Sequence, residues 1–216
     1  MATVYSAELT EDRRDALQEM VNVAMGRAGS LMADHMRCFI HLSIPVISIV
    51  STVKLSESLS PVADGMVTPD PVTGVRQGFY DSEDPAGIRG EAIVVYDAEA
   101  HLHLAQRLQV ASEPTDQVER ELLLEITNII TGACLNGISD QLGVQLDYSA
   151  PSIVAQRQHY SELLDPTQLP WDHCLRVQVH YSEDGGFGCN LFLLLTTPAL
   201  EELFRHADRF LADLDA

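Results

Sequence analysis

The sequence predicts an α/β (α+β) fold that arises by internal duplication, with a β-sheet packed against two long helices and a pseudo-two-fold axis between the copies. Three observations predict this fold. A long amphipathic segment occurs in each half of the chain, a β-rich stretch around a proline follows each of them, and a hairpin-like pair of strands then leads into a short helix. Two such copies usually share one core, in which the sheet forms one layer and the long helices the other.

The two long helices are predicted from the spacing of their apolar residues, which recur at intervals of three and four. The first extends from Glu11 to about Met36 and the second from about Thr115 to Leu142. Thr10 and Thr115 are the expected N-caps, because acidic residues that suit the positive end of the helix dipole follow each. The apolar stripes consist of Ala16, Leu17, Met20, Val23, Ala24, Leu31 and Met32 in the first helix, and of Val118, Leu122, Ile126, Ile129, Ile130 and Leu135 in the second.

The strands are predicted from short runs of β-branched and aromatic residues. Two β-rich stretches surround Pro45 and Pro151, and two hairpins follow them, with strands near Val75–Tyr80, Glu91–Tyr96, Leu175–Tyr181 and Asn190–Leu195. Short helices are expected after Asp97 and Thr197. The segment from Ser56 to Thr73 is rich in Ser, Pro, Asp and Gly, so we expect a loop inserted into the first copy.

The composition indicates one globular domain that needs no disulfide bond or metal ion to fold. A chain of 216 residues with 46% hydrophobic residues can fill a sizeable core. We therefore predict a single domain, residues 1–216, made of repeats at about 5–110 and 111–216. The four cysteines show no metal-binding spacing and are expected to be buried, reduced thiols, and no metal site is predicted.

The charge of the chain limits the partners that it can bind. Thirteen Lys and Arg against 32 Asp and Glu give a formal charge of −19, which repels nucleic acid and anionic membrane surfaces. The N-terminus does not resemble a signal peptide, and no segment is predicted to span a membrane. The sequence therefore predicts a cytoplasmic protein that binds neither nucleic acid nor membranes.

A Glu, Asn, Pro pattern recurs with the same spacing in both copies. The asparagine follows the glutamate by three positions, and the proline follows after 22 intervening residues: Glu19, Asn22 and Pro45, and then Glu125, Asn128 and Pro151. Such a pattern arises by chance roughly once in 8,000 positions, so two aligned instances indicate a shared constraint. A packing or capping role is the simplest explanation for either copy alone, but it does not explain the repetition.

The spacing places the carboxylate and the amide side by side on one helix face. Asparagine is a poor helix former because its side chain competes for backbone hydrogen bonds. Its presence in the middle of both predicted helices therefore favours a functional role for Asn22 and Asn128.

These residues resemble the doubled signature of the CheC, CheX and FliY chemotaxis phosphatases. The resemblance covers nearly the whole chain and rests on Asp15, Glu19, Asn22 and Pro45, and on Glu121, Glu125, Asn128 and Pro151. Two signatures in one chain are similar to CheC. Two departures occur: Glu121 replaces the usual Asp or Ser, and neither Gly26 nor Gly132 is followed by the Asn-Ala that is common in the family.

The resemblance implies a CheC-like fold and a phosphatase that acts on the aspartyl phosphate of a CheY-type response regulator. It implies water positioning by Asn22 and Asn128 and docking of the regulator by Glu19 and Glu125. No cofactor is expected on this chain, since the Mg²⁺ belongs to the regulator. The deamidase CheD is a second candidate partner.

Two other classes of protein are also compatible with the sequence. One is a non-catalytic adaptor of the same fold that binds a response regulator or CheD, and the other is a component of the flagellar switch. Both asparagines are intact, which favours the enzyme over the adaptor, since a decayed site is free to lose its amides.

Overall fold

The helices and strands of the chain follow one another twice in nearly the same order. The computed structural model describes residues 9–51, 62–63, 66–67, 71–84, 87–110, 114–163, 173–182 and 188–214. The first copy contains α1 (Glu11–Met36), β1 (His41–Leu42), β2 (Val46–Ser51), β3 (Val62–Ala63), β4 (Met66–Val67), β5 (Val72–Asp81), β6 (Arg89–Asp97) and α2 (Ala100–Arg107). The second contains α3 (Asp116–Leu142), β7 (Leu146–Tyr148), β8 (Ser152–Gln158), a 3-10 turn (Tyr160–Glu162), β9 (His173–Ser182), β10 (Gly188–Thr196) and α4 (Thr197–Leu214).

Side-chain caps determine where the two long helices begin, as predicted. Thr10 accepts a hydrogen bond from the backbone N–H of Arg13 at 3.3 Å, and Thr115 accepts one from Val118 at 3.4 Å. Each cap satisfies a backbone N–H that the helix itself leaves unpaired. At the other end of α3, Gly143 adopts a left-handed conformation with φ of 66°, which ends the helix at little steric cost.

The strands form an antiparallel sheet whose described part has eight strands. Its order is β1-β9-β10-β6-β5-β7, with β2 also paired with β9 and β8 also paired with β5. The two hairpins, β5–β6 and β9–β10, therefore form the centre, and the proline-containing stretches form the two edges. Because proline cannot donate to a strand ladder, an edge is where the sheet tolerates it.

The register of the strands relates the two copies by a pseudo-two-fold axis. Arg76 lies opposite Ile93 within the first hairpin, and Gln178 lies opposite Phe192 within the second. Ile93 and Phe192 are in turn direct partners across the β6–β10 boundary. The axis therefore passes between these two residues, and Arg76 corresponds to Gln178.

The same register extends to the edges of the sheet. Ser152 lies opposite Arg76, and Val46 lies opposite Gln178. Residues 46 and 152 thus correspond, which is the separation that also relates Glu19 to Glu125 and Asn22 to Asn128. The predicted duplication with pseudo-two-fold symmetry is confirmed as a feature of the fold, whereas the division near residue 110 stays a prediction.

Both faces of the central strands are buried. In β6, Ala92 and the four residues after it are fully inaccessible, and the apolar run of β10 is similar. One face packs against the helices in the main core. The other face contributes to a second, smaller cluster formed by Val72, Ile93, Val95, Ala155, Leu163, Phe192 and Leu194. Two-sided burial explains why these strands are continuously apolar in sequence.

The prediction that Val23 and Leu31 lie on the buried stripe of α1 is wrong. Their exposed fractions are 41% and 53%. The helix packs against the sheet on one side and against α3 on the other, so its buried surface is wide and the apolar spacing fits more than one set of residues. These two residues belong to the outward face.

Two other predictions need correction. The segment from Ser56 to Thr73 is not simply a loop, because β3 and β4 pair within it and β5 already begins at Val72. Other parts of this segment lie outside the described residues.

The prediction that no segment could span a membrane also needs correction, because α3 is long and apolar enough to cross a membrane by length and composition. It is a core helix here, since 56% of its apolar window is buried, which accounts for that composition.

Candidate functional site

The first Glu–Asn pair lies on the outer surface of α1. Glu19 and Asn22 are both exposed, whereas Met20 and Val21 between them are buried. The helix thus buries the intervening side chains in the core and presents the pair one turn apart on its outward face. Val23, next to Asn22, adds exposed apolar surface.

The second pair has the same setting on α3. Glu125 and Asn128 are exposed, and the intervening Ile126 and Thr127 are fully buried. The structure thus places all four predicted site residues where a partner can reach them. It does not bring the two pairs together, because Glu125 lies beside His35, which is 13 residues along α1 from Asn22.

A serine two positions before each proline ties the edge strand to the neighbouring hairpin. Ser43 donates its N–H to the carbonyl of His180 at 3.0 Å, and its Oγ accepts from the N–H of His180 at 3.0 Å. Ser149 makes the same two contacts with Gly78, at 2.9 and 3.1 Å. Each proline of the repeated sequence pattern therefore follows a serine that makes two hydrogen bonds to the neighbouring hairpin. We call this pair of hydrogen bonds the serine clamp.

The two asparagines differ in their hydrogen bonds. Asn128 Oδ1 accepts from Gln77 Nε2 at 3.1 Å, and the same nitrogen donates to the carbonyl of Ser149 at 2.8 Å. Within the described part of the chain, the Asn22 side chain makes no hydrogen bond. The second amide is thus held by the protein and the first is not.

Gln77 is the functional candidate that the sequence patterns missed. It lies on β5 between Val75 and Phe79, both core residues, and its exposed fraction is 1%. A polar residue at an inward position of an alternating strand was the available signal, because a buried amide needs hydrogen-bond partners.

The two glutamates also have different neighbours. His35 Nε2 lies 3.5 Å from Glu125 Oε1. At the symmetry-related position next to Glu19 the chain has Gln141, which donates to the carbonyl of Met20 at 2.7 Å. Glu125 therefore lies beside an imidazole of the same chain, whereas the residue that corresponds to His35 in the other copy is an amide.

The described residues offer no metal centre and no activated thiol. They contain no group of three or more His, Cys, Asp or Glu side chains that could hold an ion. Burial raises the pKa of the Cys134 and Cys189 thiols, which keeps them protonated and unreactive. These two match the prediction of buried thiols, whereas Cys38 is only half-buried and the Cys174 side chain lies outside the described set.

Comparison with known proteins identifies the fold. No protein-family model matches the sequence, and no curated protein matches it at a significant level. Among solved structures, FliY from Thermotoga maritima has 16% identity and a TM-score of 0.68, over 93% of this chain and 98% of that one. CheX from Borrelia burgdorferi, solved with CheY, BeF₃ and Mg²⁺, has 17% identity and a TM-score of 0.51, over 82% and 96%.

The chain has the CheC-like fold. A FliM–SpeE complex from H. pylori also contains this fold, with 10% identity and a TM-score of 0.62, over 94% of this chain and 97% of that one. At such identities the similarity concerns the fold. The function therefore depends on the residues that this chain itself places on the fold.

Proposed function

We propose that this chain is a phosphatase that hydrolyses the aspartyl phosphate of a CheY-type response regulator. The observation that carries the proposal is the repeated, exposed pair of a carboxylate and an amide, Glu19 with Asn22 and Glu125 with Asn128. Both pairs lie at equivalent positions on long core helices of a CheC-like fold. The CheX neighbour, solved with CheY, supports the choice of partner.

The reaction asks little of the added enzyme. The regulator supplies the aspartyl phosphate, a Mg²⁺ ion and a lysine, so the activated phosphoryl group and its charge neutralisation are already in place. Water attacks phosphorus, the bond between phosphorus and the aspartyl oxygen breaks, and the products are inorganic phosphate and a free carboxylate. What remains is to hold that water in line with the leaving oxygen.

An exposed asparagine can do this without a change of protonation. Its carbonyl oxygen accepts a hydrogen bond from the attacking water, and its NH₂ group donates to a phosphoryl oxygen. Neither group ionises near neutral pH. We therefore assign water positioning to Asn22 and Asn128.

The glutamates are assigned to docking. A carboxylate one turn from the amide pairs with a cation on the regulator and sets the angle at which the helix meets the regulator's active site. The exposed apolar side chain of Val23 beside Asn22 adds contact area to this surface. Glu19 and Glu125 are therefore expected to affect binding more than the chemical step.

A non-catalytic adaptor is the second candidate. FliM shares the fold and was solved with SpeE, so the fold serves in other complexes. An adaptor that binds a response regulator or CheD would use the same helix faces and would not need the amides.

The deciding experiment is the decay of a phosphorylated CheY-type regulator in the presence of Mg²⁺. We expect the wild-type chain to accelerate the decay, the Asn22→Ala, Asn128→Ala double variant to lose this effect, and each single variant to retain part of it. Removing a group that acts in the transition state costs roughly 10²- to 10³-fold in kcat.

Glu19→Ala combined with Glu125→Ala serves as the matched control, because it should raise KM and leave most of kcat intact. Binding of the regulator without faster decay would refute the phosphatase and favour the adaptor. Equal decay with wild type and the double asparagine variant would refute the assigned roles.

A further inference from the structure

The hydrogen bonds around Gln77 determine which way round the Asn128 amide is held. The Ser149 carbonyl can only accept, so the Gln77 atom 2.8 Å away is the NH₂ group. That nitrogen can only donate, so the Asn128 atom 3.1 Å away is the carbonyl oxygen. The chemistry of the partners thus decides both amide orientations.

The Ser149 carbonyl is itself held in place. The Ser149 N–H donates to the carbonyl of Gly78 at 2.9 Å, and its Oγ accepts from the Gly78 N–H at 3.1 Å. Gly78 follows Gln77 in β5. The edge strand, the hairpin and the helix are therefore linked by one short chain of hydrogen bonds that ends at Asn128.

The first copy keeps the clamp but lacks the glutamine. Ser43 is clamped to His180 as Ser149 is to Gly78. The residue before His180 is Val179, which is fully buried in the main core. Val179 therefore corresponds to Gln77, and a valine cannot donate to Asn22.

Packing alone does not explain why a glutamine occupies this position. Its Oε1 atom is buried and has no hydrogen-bond partner within the described residues. An unsatisfied buried acceptor destabilises a protein, and the first copy shows that an apolar residue fits this position of the fold. The two hydrogen bonds of its NH₂ group, to Asn128 and to the Ser149 carbonyl, explain why an amide occupies this position.

From these contacts we infer that Gln77 is a positioning residue for Asn128, and that it makes the second site the pre-organised one. The inference rests on the proposed function. Gln77 occupies one lone pair of Asn128 Oδ1, which leaves the other for the attacking water and the Asn128 NH₂ for a phosphoryl oxygen. Asn22 has to acquire this orientation when the regulator binds, which lowers the fraction of productive encounters.

A double-mutant cycle tests the inference. In an Asn22→Ala background, which isolates the second site, Gln77→Met should lower kcat about tenfold with little change in KM. In an Asn128→Ala background the same substitution should have no further effect. Gln178→Met is the control in the Asn22→Ala background. It removes a buried glutamine on a different strand, β9, and should leave kcat unchanged.

A loss of similar size in both backgrounds would mean that Gln77 supports the fold in general and would overturn the inference. An unchanged kcat in the Asn22→Ala background would overturn it as well. Rescue provides a converse test: Val179→Gln in the Asn128→Ala background should raise the activity of the first site.

A measurement without any substrate separates this inference from the proposed function. NMR relaxation of the side-chain NH₂ groups should show Asn128 as more ordered than Asn22 in the free protein, and Gln77→Met should remove the difference. If the wild type fails to hydrolyse the regulator but the ordering is present, the phosphatase proposal fails and the positioning stands. Equal order of the two amides would refute the positioning itself.

Discussion

Arg13 and Asp208 hold the start of α1 against the last helix. Arg13 Nε and Nη2 donate to the two carboxylate oxygens of Asp208 at 2.9 and 2.8 Å, and its guanidinium lies 5.0 Å from the centre of the Phe204 ring. Paired donors in this geometry are stronger than a single contact. The hydrogen bond from Arg13 lowers the pKa of the Asp208 carboxyl below its ordinary value.

We predict that this pair stabilises the fold in a pH-dependent manner. A carboxyl with a lowered native pKa contributes its full stabilisation above the ordinary aspartate pKa and loses it as the pH falls through the native value. Asp208→Asn should therefore cost at most about 1 kcal/mol at pH 7, since the pair is partly exposed, and progressively less as the pH falls below the ordinary aspartate pKa. Urea unfolding of both proteins across this range measures the difference.

Asp140→Asn is the matched control, because Arg27 and Asp140 also pair at 2.8 Å but with side-chain exposures of 55% and 69%. The effect of Asp140→Asn should be smaller. A cost of Asp208→Asn that stays constant down to low pH would show that the ion pair is not its source.

At the scale of elements, the contact between α1 and α3 holds the two copies together. Gly137 faces Ala24 so closely that a Cβ atom on Gly137 would lie 2.8 Å from both the Cα and the Cβ of Ala24. Nearby, Gln141 donates to the carbonyl of Met20 at 2.7 Å. The close approach of the two helices therefore depends on the absence of a side chain at Gly137.

The same substitution at two glycines should have opposite effects on stability. Gly137→Ala forces the helices apart and should destabilise the protein by about 1–3 kcal/mol, in spite of the better helix propensity of alanine. Gly26→Ala meets nothing within 4 Å, so it should stabilise the protein by about 0.5–1 kcal/mol. Thermal and urea unfolding measure both, and a neutral Gly137→Ala would contradict the close packing.

At the scale of the whole molecule, the two copies share one core. The main cluster contains α1 and β5 residues from the first copy together with α3, β9 and β10 residues from the second. In addition, β6 and β10 pair along most of their lengths, from Cys189 opposite Tyr96 to Leu195 opposite Gly90. Either copy alone would expose an apolar helix face and an unpaired central strand.

We therefore predict a single cooperative unfolding transition and no stable folded half. Fragments 1–112 and 113–216 should each lack dispersed NMR signals and should regain them when they are mixed. Far-UV circular dichroism and tyrosine fluorescence of the full chain should report the same midpoint. A fragment that folds alone, or two separate transitions, would contradict a single domain of two repeats.

Local signals made much of the fold predictable from the sequence. Thr10 and Thr115 cap their helices as expected because capping is a contact between residues three apart. The four hairpin strands were located by composition, and the structure extends each by one to three residues at its ends. The repeated Glu–Asn pair was visible because helix periodicity converts a spacing of three into a shared face.

Tertiary structure decided what local patterns leave open. Whether Val23 is buried depends on where α3 and the sheet lie, and an apolar helix offers several faces that satisfy the same spacing. The asymmetry of the two sites comes from Gln77, which is 51 residues from Asn128 in sequence and reaches it through strand register. The roles of the site residues and the cytoplasmic location stay predictions. The sequence determined the repeat and its exposed pairs because those are local, whereas the support of each pair is long-range and only the assembled fold could reveal it.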